Sequence, residues 1–258
     1  MTIYKLTIFI VILFLISCTQ KKQFPDFVSE KVEIENVSLN SQLPKYSNES
    51  IEDSTIKDLY KLRFFRNQFF EKDDEFDLDK FKSNWIQIQK NIHFKSSNAT
   101  DLELWFAISG LLFELTGDAI FADELEKLAF SGIGKSMPEN IKIVSPYVFT
   151  KNTDNLFVNL FMPASIYYEH TTKGKVNVEL LTNYPESGKI DLKFGMSKRR
   201  YIELFIRIPH WAVGATVEVK KVKYLAPAGG YCKIAKKWNE GDLVEINFPM
   251  LNAPDYLK

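Results

Sequence analysis

Three kinds of residue in this chain could do chemistry: carboxylates near an apolar helix, three histidines and two cysteines. Asp101 and Glu103 stand at the start of an apolar helical stretch, and Glu114 lies near its end. A carboxylate pair can hydrolyse a glycosidic bond when its members face each other across a sugar, at ~5–5.5 Å or ~6.5–9.5 Å. Asp101 and Glu103 are the weak catalytic candidates of the chain, because residues two apart on a helix point about 200° apart and cannot both face one sugar. Asp101 also suits a plain first-turn role, favoured by the helix dipole. His93, His170 and His210 show no paired metal-binding spacing. Cys18 and Cys232 are too few for a disulfide framework or a zinc site. No metal and no other cofactor is expected. Trp211, Tyr231 and Trp238 could stack on sugar rings or fill a core.

The elements that must position these groups fall into two halves. In residues 99 to 131, Leu102, Trp105, Phe106, Ile108, Leu112, Phe113 and Leu115 make one broad apolar stripe. Ile120, Phe121, Leu125, Leu128 and Phe130 make a second, and Gly117-Asp118 between them suits a helix stop and a new start. Residues 55 to 96 carry two further helical stripes, one through Ile56, Leu59 and Phe65, the other through Phe81, Trp85 and Ile88. From Ile143 the period changes to two. About nine strands are expected, centred near Val148, Val158, Tyr167, Val178, Leu192, Leu204, Val217, Lys233 and Ile246. In the clearest strand Ile202, Leu204, Ile206 and Ile208 share the inner face, which leaves Tyr201, Glu203, Phe205 and Arg207 outside. The fold class is α+β: a partial α/α-barrel-like helical segment over 55–135, then an antiparallel β-sandwich over 142–258.

The N-terminus reads as an export signal. Lys5 is followed by an apolar run to Ile16, too short for a span of ~20 residues. Leu15-Ile16-Ser17-Cys18 fits a bacterial lipobox, so residues 1–17 are expected to be removed and Cys18 to carry the lipid. Residues 18–54 are polar, with Pro25 and Pro44, and read as a tether in which a short strand around Val32 to Val37 is possible. The protein is therefore expected in the bacterial cell envelope, held to the membrane through Cys18. Lys plus Arg and Asp plus Glu both number 33, so no electrostatic footprint points to nucleic acid. The run Lys198-Arg199-Arg200 reads as a solvated turn. No phosphate-binding or dinucleotide fingerprint occurs, and the oligomeric state stays open.

Several strings together resemble glycoside hydrolase family 127, the β-L-arabinofuranosidase-like enzymes. They are Arg207-Ile208-Pro209-His210-Trp211-Ala212, then Ala228-Gly229-Gly230-Tyr231, then Trp238 followed by Gly241-Asp242-Leu243-Val244 and Pro249-Met250. Tyr147–Ala164, Thr182–Leu192 and Leu115–Ile133 agree in order, so the resemblance runs from about Asn98 to Met250. It implies a sandwich beside the last hairpin of a helical barrel, and carbohydrate as the partner. It also implies Trp105 as the sugar-stacking candidate, because that helix lines the family's cavity; the same side chain could plug the core. In the family a zinc-bound cysteine thiolate attacks the sugar and a glutamate serves as general acid/base. The matching positions here, Asn98-Ala99-Thr100 and Ser136-Met137, hold neither cysteine nor that glutamate, so the zinc-thiolate centre is expected to be absent. Residues 55 to 133 are also too few for six helical hairpins, which reads as a reduced domain or a remnant of a longer gene. Three functions stay open: glycan handling without the centre, a non-catalytic carbohydrate-binding or protein-interaction module, and a hydrolase with relocated carboxylates.

Overall fold

The computed structural model describes residues 76–91, 99–131 and 144–258, with the strand residues 30–31 and 34–35. The signal segment, Cys18, most of the tether, the 55–75 stripe and the Ser136–Met137 position lie outside the described residues. Three helices come first: α1 (Leu78–Asn91), α2 (Ala99–Thr116) and α3 (Ala119–Ser131). Helix α1 starts where Asp77 accepts hydrogen bonds from the backbone N–H groups of Asp79 and Lys80, at 3.0 and 3.1 Å. Phe81, Trp85 and Ile88 then repeat at helical spacing and are buried. Helix α2 buries Trp105, Phe106, Ile108, Leu112 and Phe113, apolar on nearly every side, so it needs partners all round. Its end follows the expectation: Gly117 adopts φ +68° and its N–H reaches the Phe113 carbonyl. Asp118 turns its carboxylate to Lys82 of α1 at 2.7 Å instead of capping α3 with it.

Two sheets follow. The first orders β1 (Glu30–Lys31), β3 (Phe149–Asn152), β4 (Asn155–Val158), β8 (Arg200–Ile208) and β11 (Gly230–Trp238). The second orders β10 (Val222–Tyr224), β9 (Thr216–Val219), β12 (Leu243–Asn247), β7 (Lys189–Met196), β6 (Lys175–Thr182), β5 (Ala164–Glu169) and β2 (Ile34–Glu35). Pairing is antiparallel except between β4 and β8, which run parallel because β5, β6 and β7 of the other sheet intervene in the chain. The nine expected strand regions are present; β10 was missed because three half-polar residues carry too little alternation. Within the stretch read as tether, β1 pairs with β3 and β2 with β5.

The inner faces meet as the alternation requires. Ile202, Leu204, Ile206 and Ile208 are fully buried, opposite a set that includes Val178, Leu192 and Phe194. Trp238, open to two readings in the sequence, fills this core: it stacks on Phe194 at 4.1 Å and donates to the Ile202 carbonyl. The helices close one end of the sandwich. Tyr147, in a short 3₁₀ turn before β3, sits against Phe106 and Phe113 of α2, and a Cβ on Gly110 would meet its Cζ at 2.7 Å. Phe130 of α3 meets Tyr184 edge-on at 5.5 Å. Each large side chain buried at this joint is worth ~1.5–3 kcal/mol. The other end carries the turns 153–154, 170–174, 197–199, 220–221 and 239–242 and bears no described helix.

Candidate functional site at the joint of helix and sandwich

The densest polar arrangement lies between α3 and the outer face of β8. Alternation places Arg207 outside the sandwich, yet the residue is fully buried. Helix α3 lies over it. All three kinds of guanidinium nitrogen are used: Nε donates to the Asn159 carbonyl at 2.5 Å, Nη2 to Glu126 at 2.5 Å and Nη1 to Asp123. Asp123 and Glu126 stand three apart on α3 and so share a face. The Phe161 ring lies 5.4 Å from the guanidinium carbon. Asn159 is fixed in turn, donating to Thr150 and accepting from the Tyr231 hydroxyl, both at 3.0 Å. Glu126 lies 3.5 Å from the Tyr256 hydroxyl near the C-terminus. Asp123 also accepts from the backbone N–H of His210 and binds its Nδ1. Thus two residues of the Arg207–Ala212 string hold one carboxylate of the last helix.

The electrostatics follow from depth. Burial pushes the Glu126 carboxyl up, against the pull of Arg207. Burial alone would lower Arg207; Glu126 and Asp123 hold it above its ordinary value. The hydrogen bond that His210 makes to Asp123 raises its imidazole, whose side chain is 54 % exposed. Tyr184 is held well above an ordinary phenol by burial and by Glu126. Such a group can seat a helix and keep one imidazolium at the rim. It cannot act as a glycosidase pair. The two carboxylates sit side by side on one guanidinium, with no sugar-wide gap between them, and Glu126 is sealed from solvent.

The sequence candidates land elsewhere. Asp101 and Glu103 lie in the first turns of α2, and their side chains are outside the described residues. Trp105 offers no face to a sugar: it is fully buried, stacked on Trp85 at 5.2 Å, and donates to Glu124 at 3.0 Å. Its helix is covered by α1 and α3, which is why the core-filling alternative holds. His170 is buried between Thr172 and the Tyr201 carbonyl. Cys232 lies in the core between the sheets, and burial pushes its thiol up to about 11. Asp123, Glu126 and Arg207 were not singled out in the sequence. The usable signal was that two of the three acids in Phe121–Leu128, Asp123 and Glu126, stand three apart and so share a helix face.

Comparison with known proteins agrees with the family resemblance. Residues 155–250, most of the sandwich, match the family described as Beta-L-arabinofuranosidase, GH127 middle domain. None of the curated proteins matches the chain. Among solved structures, a GH127 β-L-arabinofuranosidase from Geobacillus stearothermophilus is similar at 23% identity and a TM-score of 0.48, over 58% of this chain and 30% of that one. A structure titled as a glycoside hydrolase is similar at 22% identity and 0.48, over 58% and 32%. A GH127 β-arabinofuranosidase gives 25% identity and 0.47, over 58% and 31%. The chain thus spans about a third of the length of these structures. The sandwich resembles part of the GH127 architecture.

Proposed function

We propose that this chain is an envelope protein, anchored by lipid at Cys18, that handles carbohydrate of the arabinofuranoside type by binding it, without zinc-thiolate chemistry. The family match across residues 155–250 supports the carbohydrate part. The observation that carries the non-hydrolytic part is Cys232. It is the one cysteine among the described residues, sits at 0% exposure in the sandwich core, and its thiol is pushed up to about 11. A thiol that is buried and protonated at neutral pH neither attacks a sugar nor binds zinc as thiolate. Asp123 and Glu126, locked on Arg207, do not replace it.

The test sets turnover against binding. The mature chain is expected to bind arabinofuranoside oligosaccharides by calorimetry, leave aryl arabinofuranosides intact, and hold no stoichiometric zinc by metal analysis. Hydrolysis accompanied by about one zinc per chain would overturn the reading. For the anchor, wild type should take up labelled fatty acid and sediment with membranes, and Cys18→Ser should do neither. A wild-type protein that is soluble and unlabelled would refute the anchor.

A further inference from the structure

The end of the sandwich remote from the helices is strongly cationic. Its turns and flanks present Lys173, Lys175, Lys198, Arg199, Lys221 and Lys237, all exposed, in a chain whose charges balance as a whole. Arg200 ties two of these turns together by donating to the Lys173 carbonyl at 2.5 Å, with its guanidinium against Gly174. The acids of this end are each tied to a neighbour, although Glu169 and Glu240 stay exposed and only Asp242 is buried. Asp154 accepts from Thr171, Glu169 from the Gly174 N–H, and Glu240 from the Met196 N–H. Asp242 is held by Lys220 at 2.6 Å and Lys236 at 3.2 Å. Against the exposed Glu169 and Glu240, the lysines and Arg199 leave the outward surface with an excess of positive charge.

The same end receives the N-terminal chain. Strand β1 runs antiparallel to β3, and its first residue, Glu30, pairs with Lys151 just before the 153–154 turn. Asp154 of that turn bonds Thr171, beside Lys173. Residues 19–29 separate Cys18 from Glu30, a reach of at most about 40 Å. A chain anchored by lipid at Cys18 would therefore enter the fold nearest this end, within that reach.

We propose that this basic end docks on the anionic headgroups of the membrane surface, as a second attachment beside the acyl anchor. Only the anchor half of the argument rests on the lipoprotein reading. The lipid on Cys18 would tether the chain by itself, and the basic cluster adds a contact that orients it on an anionic surface. The docking seats the helical end away from the bilayer.

The experiment separates the two attachments. The mature chain from residue 18, carrying Cys18→Ser, is sedimented with vesicles of phosphatidylcholine alone or mixed with phosphatidylglycerol, at low and high salt. Binding to the mixed vesicles only, dispersed by salt, is expected. Each basic residue near an anionic surface is worth roughly fivefold in partitioning, so Lys198→Glu with Arg199→Glu should weaken binding at least about 25-fold. Lys189→Glu, at the helical end, should leave it unchanged. If the double variant fails to fold, Lys173→Glu with Lys221→Glu takes its place. No binding to the mixed vesicles at low salt, equal binding to phosphatidylcholine, or equal loss with Lys189→Glu would each refute the docking. Binding to polygalacturonate with none to vesicles would assign the surface to an acidic glycan and refute it too. Fatty-acid labelling of the wild type reads the anchor separately, so either attachment can fail alone.

Discussion

Replacing Arg207 by Met is the sharpest perturbation of the joint. Methionine fills much of the same volume and removes only the charge and its donors. Asp123 and Glu126 would lose their shared counter-charge, and the buried Asn159 carbonyl would lose its donor. Breaking a buried pair by deleting one partner costs about 3–5 kcal/mol. Against a net stability of ~5–15 kcal/mol that is a large fraction. The loss should depend on pH, with a definite sign. Burial already raises the Glu126 carboxyl, and without Arg207 it rises further, so a proton neutralises it in mild acid. The deficit of Arg207→Met should therefore shrink as pH falls from about 7.5 to about 5. Adding Glu126→Leu should recover part of the loss at neutral pH. Urea unfolding followed by tryptophan fluorescence reports both halves, with Trp85 and Trp105 among the helices and Trp238 in the sandwich. A deficit below about 1 kcal/mol, or one that does not change with pH, would refute the claim that this cluster seats α3.

Three further outcomes follow from the same geometry. Trp105→Ala should cost about 3–5 kcal/mol and shift one transition for the whole protein, because the helices share their core with the sandwich end; two separate calorimetric transitions would count against that. Gly110→Ala should cost about 1–3 kcal/mol, since its Cβ meets the buried Tyr147 ring, while Tyr147→Phe with Gly110→Ala should recover some of it. His210 has its pKa raised by Asp123, so its contribution is full below about 6.5 and is lost as pH rises through the folded value; the melting temperature of wild type should fall relative to His210→Gln between about pH 6 and 8.5.

Much of the fold was readable because each element wrote its own period. The Gly117-Asp118 break gave the hairpin, and the alternation of β8 gave the inner face of its sheet. Pairing was less readable. Nothing local in β4 says that it will lie parallel to β8 after a detour through the other sheet. The two short strands β1 and β2 are set by their partners, since two residues apiece are too few to show an alternation of their own. Trp105 misled for a related reason. A broad apolar stripe does not tell which of its members meets another helix and which lines a cavity, and here Trp85 and Phe121 enclose it.

Arg207 shows the deeper limit. Alternation sorts side chains into two faces, but it does not say whether the outer face meets water or another layer. An arginine on that face is ordinary if exposed and demanding if covered, since every N–H must then find an acceptor. The demand is met by Asp123 and Glu126, more than eighty residues earlier in the chain. Either half looks like a solvated surface charge when read alone. The string from Arg207 to Ala212, on which the family resemblance partly rests, thus performs a mechanical task in this protein: Arg207 and His210 hold the last helix, and Trp211 meets Phe248 beneath it. It follows that likeness in this string says how a helix is seated on the sandwich. The string is thus a signature of packing, and it carries no argument about catalysis.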